Sequence, residues 1–318
     1  MGLNSLSKIE WQTLLLIAGC YTIWLLLMMY GAMFPIAFWI LCVSLTITFY
    51  LSIQHETVHG HPTPYPLLNQ LLVTVPIGWV FPFERFRDTH IAHHETGDLT
   101  DPLDDPESWY VYANDWNTSG RFMKLILTFN NTLAGRMLIG PAISLTRFAI
   151  GEISTFIKQR DMRFYLLRVW GTHLIACTLL LAFISQINSH PFWAHLLAAY
   201  MGISFLLIRT FLEHQAAEDQ SERTVIIERS CPIAFLFLFN NLHALHHERP
   251  GIPWYRLPAT YRQEREELQI KNNYYVYRSY SEIFRLFFFR PKEPVIHPFS
   301  RNASSASLAH ATQKVNLD

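Results

Sequence analysis

Four long apolar runs alternate with more polar segments along the chain. They cover residues 11–31, 35–53, 164–187 and 192–211. A bilayer core about 30 Å thick requires about 20 apolar residues of helix, which is close to the length of each run. Short connectors join the first run to the second and the third to the fourth, so the pattern predicts two transmembrane helical hairpins. The first run is too long and too poorly flanked for a cleavable signal peptide, and we expect it to remain as an anchor.

Three further apolar stretches are shorter or are interrupted by proline. They are residues 67–81, 137–150 and 231–239, and the second of them contains Pro141. Such stretches are expected to lie in or against the membrane interface rather than to cross it. The predicted fold is therefore an all-α integral membrane protein with four spans, interfacial helices and a histidine-rich cytosolic cap.

The distribution of lysine and arginine orients the predicted spans. Neither short connector, residues 32–34 or 188–191, carries one, whereas residues 82–163 carry nine and residues 215–318 carry thirteen. The positive-inside rule then places the N terminus, the long middle segment and the C-terminal third in the cytoplasm.

The composition supports a membrane protein and excludes several other classes. Half of the residues are apolar and only 16% are charged, against roughly 25% charged in ordinary soluble domains. Lysine plus arginine and aspartate plus glutamate number 25 each, so no basic surplus indicates nucleic acid binding. The four cysteines are scattered without a CxxC pair and are expected to be buried filler. We expect residues 1–290 to form one domain and residues 291–318, which are small and polar, to form a disordered tail.

Most of the 15 histidines lie in three boxes. The boxes are His55 and His59 (HxxxH), His90, His93 and His94 (HxxHH), and His243, His246 and His247 (HxxHH). A chain with 15 histidines in 318 positions would contain HxxHH about 0.03 times by chance. On a helix, positions i, i+3 and i+4 lie on one face. Because an even number of predicted crossings precedes each box and His214, all nine histidines are expected at one membrane face, where they can converge.

The residue types favour a site for two metal ions. Neutral imidazole suits iron, whereas thiolates favour zinc or iron–sulfur clusters. Nine imidazoles exceed what one ion can bind, so two ions with about five ligands each is the economical interpretation.

These boxes resemble those of the membrane fatty acid desaturase and hydroxylase superfamily, whose histidines ligate two non-haem iron ions. The resemblance implies the following metal ligands: His55, His59, His90, His93, His94, His214, His243, His246 and His247. Members often carry a glutamate before the histidine that lies between the second and third boxes, as Glu213 does here. Many also have an asparagine four residues before that histidine, where this chain has Thr210. Asn240 and Asn241 are alternative sources of that amide, and each is equally a candidate for capping a helix or loop.

The resemblance implies O₂-dependent oxidation of an unactivated C–H bond in a long-chain acyl lipid or acyl thioester. Desaturation is favoured with hydroxylation close behind, because both begin with hydrogen abstraction and the boxes do not separate them. The alternatives are a carotenoid ketolase or hydroxylase and a non-enzymatic membrane protein that binds or transports metal. A metal transporter is expected to place acidic ligands within its spans, and the four predicted spans contain none.

The reaction also requires an electron donor. The chain contains neither the HPGG haem motif of a cytochrome b5 domain nor a CxxC pair for a rubredoxin or iron–sulfur domain. We therefore expect electrons to come from a separate protein of the ferredoxin, rubredoxin or cytochrome b5 type.

Acidic residues beside the boxes are candidates for orienting the histidine rings, because metal-binding imidazoles usually donate their outer N–H to an oxygen. The candidates are Glu56, Glu95, Glu213 and Glu248. The acidic, turn-rich segment 97–109 is interpreted as a solvated loop. His61 is expected to leave the helix face, and His173 and His195, within predicted spans, are expected to serve helix packing.

Overall fold

The computed structural model describes residues 9–299, which are mostly helical. Helix α1 (Trp11–Met29) and helix α2 (Ile36–Val58) form a hairpin closed by a 3₁₀ turn at Gly31–Met33. A second hairpin consists of α8 (Arg163–Ile187) and α9 (Phe192–Thr210). The four predicted apolar helices are confirmed, each with bounds within a few residues of those expected.

Nine further helices and two very short strands complete the fold within residues 9–299. The helices are α3 (Pro66–Leu72), α4 (Phe83–Glu95), α5 (Ala113–Thr118), α6 (Arg121–Asn130), α7 (Leu133–Lys158), α10 (Pro232–Leu236), α11 (His243–Glu248), α12 (Leu257–Lys271) and α13 (Tyr280–Phe287). Strand β1 (Ile226–Ile227) pairs in parallel with β2 (Val276–Tyr277), and a 3₁₀ helix spans Gln220–Arg223. The strands tie the segment after α9 to the segment after α12.

Helix α7 is longer than the sequence pattern predicted. The apolar stretch was expected over residues 137–150, whereas the helix has 26 residues and continues through Pro141. The Thr132 side chain caps its N terminus by accepting from the Gly135 N–H. Among residues 9–299 there are accordingly five helices long and apolar enough to cross a membrane, where four were predicted. Pro141, the ninth residue of the helix, removes one backbone donor without ending the helix.

Helices α2 and α9 form the centre of the bundle; His55 lies in the last turn of α2, and His214 follows the end of α9. The two helices approach closely at Gly202, where a Cβ would lie 2.7 Å from Ile47 Cγ2. The Thr48 hydroxyl also donates to the Gly202 carbonyl at 2.9 Å. Small residues at such crossings let membrane helices pack closely. Helices α1 and α8 expose most of their apolar side chains, as expected of helices that face lipid.

Residues 291–299 of the predicted tail lie against the folded chain. The Lys292 N–H donates to the Asn131 carbonyl at 3.0 Å, and the Val111 N–H donates to the Val295 carbonyl at 3.1 Å. The His297 N–H donates a hydrogen bond to the Val111 carbonyl at 3.0 Å. The rest of the predicted tail, residues 300–318, lies outside the described residues. The four cysteines are free, and Cys20 is buried.

Candidate metal centre

Each histidine box lies where a helix ends or turns beside the bundle. His55 occupies the last turn of α2 and His59 follows its end, so the HxxxH spacing places both rings on one side. The second box lies in the last two turns of α4, and the third box forms most of α11. His214 follows α9 by four residues. Four separate segments therefore deliver the nine predicted ligands.

The nine histidines converge into two groups. In each group, one ligand nitrogen from every residue lies within 4.8 Å of the others. The first group is His55, His59, His90, His94 and His246, and the second is His93, His214, His243 and His247. The groups adjoin, since the rings of His94 and His247 stack with centroids 4.1 Å apart. The sequence predicted about five ligands per ion, and the observed division is five and four.

Each HxxHH box divides its histidines between the two groups. His90 and His94 belong to the first group and His93 to the second, while His243 and His247 belong to the second group and His246 to the first. On a helix, positions i and i+4 are about 40° apart, whereas i+3 lies about 60° to the other side of i. The box therefore suits a helix that runs between two neighbouring ions and supplies ligands to both.

The nitrogen separations fit the ligand shell of metal ions. The Nε2 atom of His90 lies 3.1 Å from Nε2 of both His59 and His94. The Nε2 atom of His214 lies 3.0 Å from Nε2 of both His93 and His243. Two nitrogens bound at about 2.1 Å to one ion, at right angles to each other, are about 3.0 Å apart. Nε2 of His55, His246 and His247 is buried and has no hydrogen-bond partner among the described residues.

The outer nitrogens of three rings are held by oxygen atoms. His90 Nδ1 lies 2.8 Å from Glu107 Oε1 and His93 Nδ1 lies 2.7 Å from Asp105 Oδ1. His243 Nδ1 lies 3.2 Å from Asn240 Oδ1. Since these oxygens accept, each Nδ1 carries a hydrogen, and in the neutral form of each ring Nε2 presents its lone pair to the interior of the group. Several Nε2 atoms that converge at this distance can bind one metal ion, so the residues present fit a metal pair.

The acidic segment 97–109 is not simply a solvated loop, and that interpretation was wrong for Asp105 and Glu107. Asp105 is 1% exposed, and its Oδ2 accepts from the Thr100 N–H at 2.8 Å. Its Oδ1 accepts from the Glu107 N–H at 2.8 Å as well as facing His93. The turn-rich sequence thus folds around one buried carboxylate, and this folding brings Glu107 to His90.

Of the acids predicted to orient rings, only Glu213 approaches a box histidine in the part of the chain that the structure describes. Its Oε1 lies 3.6 Å from His243 Nδ1, and it pairs with Arg209 at 2.7 Å. Glu56 instead accepts from the Trp254 backbone N–H at 2.8 Å. Glu95 is exposed and Glu248 pairs with Lys271 at the surface.

The three polar residues predicted near His214 lie in different environments. The Asn240 amide donates from Nδ2 to Glu213 Oε1, and its Oδ1 faces His243 Nδ1. Thr210 lines the cavity described below, and its hydroxyl has no partner among the described residues. The Asn241 amide donates to the Ile227 carbonyl and so secures β1 rather than a ring.

The electrostatic environment keeps most of these imidazoles neutral. Burial, reinforced by neighbouring rings, holds the pKa well below its usual 6.5 in His214, His243, His246 and His247. The same causes lower the pKa of His59 to about 2 and that of His94 to about 3. Burial also acts to lower the pKa of His93, but Glu107 and Asp105 outweigh it and raise that pKa to about 9. Neutral imidazole is the form that binds metal, so the site is prepared for cations.

Histidines outside the boxes have other roles in the structure. His61 Nδ1 lies 2.6 Å from Glu10 Oε1, which ties the segment after α2 to the start of α1. His173 contacts Cys177 within α8, and the His195 ring packs on Trp39. The expectation of packing roles for His173 and His195 agrees with these contacts.

A cavity of about 490 Å³ opens beside the two groups. It reaches His55, His90 and His214, and most of its surface is apolar, although charged side chains such as those of α4, α7 and α9 also line it. Its volume is within the range of pockets that bind small molecules and cofactors. An apolar substrate in this cavity would lie directly against the histidine groups.

Comparison with known families agrees with this geometry. Residues 32–281 match the family model described as "Fatty acid desaturase". The match begins after α1 and includes all nine histidines together with α2, α8 and α9. No curated protein matches the chain.

Proposed function

Since the chain belongs to the fatty acid desaturase family, and so is an integral membrane oxidoreductase, we propose that it oxidises an unactivated C–H bond in a long-chain acyl lipid or acyl thioester. Desaturation is the favoured outcome and hydroxylation is second. The observation that carries the proposal is the convergence of nine histidines into two adjoining groups whose Nε2 atoms face inward.

We propose that the two groups hold two non-haem iron ions through the nine histidines. Bound iron would supply O₂ activation and the oxidising power that a methylene C–H bond requires. Asp105 and Glu107 would keep His93 and His90 in the tautomer that presents Nε2. The apolar cavity wall would position the chain and exclude water from the reacting carbon.

We further propose that four of the five long helices cross the membrane and that α7 does not. His93 on α4 and His214 after α9 lie 3.0 Å apart, so an even number of crossings separates them. Crossings by all of α7, α8 and α9 would place them on opposite sides. The Glu152 carboxylate, in the second half of α7, binds Arg85 of α4 at 2.7 Å, which keeps that part of α7 beside the box.

This topology predicts a labelling pattern for single cysteines introduced in a chain whose native cysteines are replaced by serine. On intact cells, a membrane-impermeant maleimide is expected to label Ser189→Cys, in the connector between α8 and α9. Ser119→Cys and Asp161→Cys are expected to react only after permeabilisation, because the positive-inside rule keeps both segments cytoplasmic. Labelling of Asp161→Cys from outside would show that α7 crosses.

Expression in a heterologous host tests the proposed reaction. We expect host lipids to lose two hydrogen atoms in desaturation, or to gain one oxygen atom in hydroxylation, as measured by mass spectrometry. The purified chain from iron-replete cells should contain about two iron ions. Unchanged lipids together with zinc alone, or with haem absorbance, would contradict the proposal.

We propose that the electron donor is a separate protein of the ferredoxin, rubredoxin or cytochrome b5 type. Membranes of the expression host that contain the chain test this proposal. The four cysteines of this sequence are scattered, whereas an iron–sulfur centre requires clustered thiolates. Activity should disappear when membranes are washed and return when one reduced carrier is added. Full activity in washed membranes that contain no other redox protein would contradict it.

A further inference from the structure

Two arginines on α7, Arg136 and Arg147, flank the indole of Trp109 in the wall of the cavity. The guanidinium carbon of Arg136 lies 3.6 Å from the centre of the indole ring, and that of Arg147 lies 5.9 Å away. Arg136 is 3% exposed, whereas Arg147 is exposed at the rim. The same cavity reaches His55, His90 and His214, so these cations and the candidate metal centre share one space.

The other cations of the cavity wall have carboxylate partners. Arg85 pairs with Glu152, Arg209 with Glu213, and Lys292 with Glu293, each at 2.7 Å. Within residues 9–299, neither Arg136 nor Arg147 has a carboxylate oxygen within ion-pair distance. Two carboxylates that also line the cavity are already engaged, since Glu293 accepts from Lys292 and Tyr110, and Asp105 accepts from His93 and Thr100.

Arg136 retains unused hydrogen-bonding capacity in a buried position. Its Nε donates to the Asn130 carbonyl at 3.2 Å, but its Nη1 is buried without a partner among the described residues. Arg147 Nη1 donates to the Ser108 carbonyl at 2.6 Å. A buried guanidinium without an anion is costly, and the fork of N–H groups matches a carboxylate or phosphate.

We propose that Arg136 and Arg147 form a subsite for an anionic group, a carboxylate or a phosphate, carried by an apolar chain. The inference rests on the proposed function and deepens it, because it names the substrate class as an anionic amphiphile. The anion accepts hydrogen bonds from the two guanidinium groups beside Trp109, and the apolar chain lies along the cavity wall. A neutral hydrocarbon would leave Arg136 unpaired beside the indole.

Binding of three ligands with the same chain length tests the subsite. Decanoate, decyl phosphate and decanol are titrated into the purified, iron-loaded full chain by calorimetry. Because charge-assisted hydrogen bonds are stronger than neutral ones, we expect at least one anion to bind about tenfold to a hundredfold more tightly than decanol. Tighter binding of decanoate identifies a carboxylate substrate, and tighter binding of decyl phosphate identifies a phosphate headgroup.

Variants then assign the preference to the two arginines. Arg136→Gln is expected to abolish the preference for the anion and leave decanol affinity unchanged, while Arg136→Lys retains part of the preference. Arg147→Gln, at the exposed rim, should reduce the preference without endangering the fold. Arg160→Gln is the matched control, since Arg160 is exposed in the connector after α7 and does not line the cavity.

The outcomes separate this inference from the proposed function. Equal binding of decanol and both anions, or a full preference in both Arg136→Gln and Arg147→Gln, would overturn the subsite, whatever the iron content or lipid products. A chain that prefers the anions but contains no iron and changes no lipid would retain the subsite and lose the proposed reaction.

Discussion

Replacing His214 by alanine is expected to remove at least one metal ion per chain and to lower product formation by at least about 100-fold. Its Nε2 lies 3.0 Å from Nε2 of both His93 and His243. His214 therefore lies between two other members of the four-histidine group. The first group has five histidines, so loss of one ligand there should weaken metal binding less than loss of one from the group of four. Removal of a residue that only orients a ligand costs about 10-fold to 100-fold in metal affinity or activity, and removal of a ligand should cost more. Metal content by mass spectrometry and lipid products measure the two effects.

His190→Gln provides the control for His214→Ala. His190 belongs to neither group and contacts the Gly31 carbonyl in the connector region at 2.9 Å. This variant should retain its metal and its products, which would show that loss of a histidine as such is not responsible. Wild-type metal content and turnover in His214→Ala would remove His214 from the site.

The convergence of the nine histidines was predictable because it depends on local geometry and on counting helices. The spacing of His55 and His59 places two rings on one helix face, and an even number of predicted crossings would return the chain to the same side. Both inferences can be made from residue positions without knowledge of packing. The division of each box between two groups follows from helix geometry as well, although the spacing alone does not say where the second ion lies.

The partners of the outer ring nitrogens were not predictable in the same way. Asp105 and Glu107 lie in a turn-rich segment with no hydrophobic periodicity, so their sequence pattern is that of any exposed acidic loop. The burial of Asp105 depends on the Thr100 N–H and the His93 ring, and the position of Glu107 depends on the His90 ring, all of which are tertiary contacts. Glu95 and Glu248 are adjacent to boxes in sequence, yet they point away because a neighbouring residue on a helix faces another direction.

The length of α7 was underestimated for a related reason. Pro141 interrupts the apolar pattern, and charged residues such as Arg136 and Glu152 reduce its mean hydropathy. In the structure these charges face protein rather than lipid: Glu152 binds Arg85, and Arg136 lies over Trp109. A pattern that treats each charge as exposed cannot predict a helix whose charges are buried in contacts with other segments.

Replacing Asp105 by asparagine is expected to lower metal affinity by about 10-fold to 100-fold. Both carboxylate oxygens accept hydrogen bonds: Oδ1 from His93 Nδ1 and the Glu107 N–H, and Oδ2 from the Thr100 N–H. An amide has only one oxygen, so its NH₂ group must face either His93 or Thr100 and meet another donor. If it faces His93, the ring is driven to the tautomer that places hydrogen on Nε2, which no longer binds metal. Competition with a chelator measures the affinity, and lipid products measure the accompanying loss of turnover.

Asp98→Asn is the matched control for Asp105→Asn, because it makes the same chemical change at an exposed position in the same acidic segment. It should bind metal as the wild type does. If Asp105→Asn instead folded stably and retained wild-type metal affinity, His93 would not depend on this carboxylate for its tautomer. The inward orientation of its Nε2 would then require another cause, and the five-and-four division of the histidines between two ions would lose one of its supports.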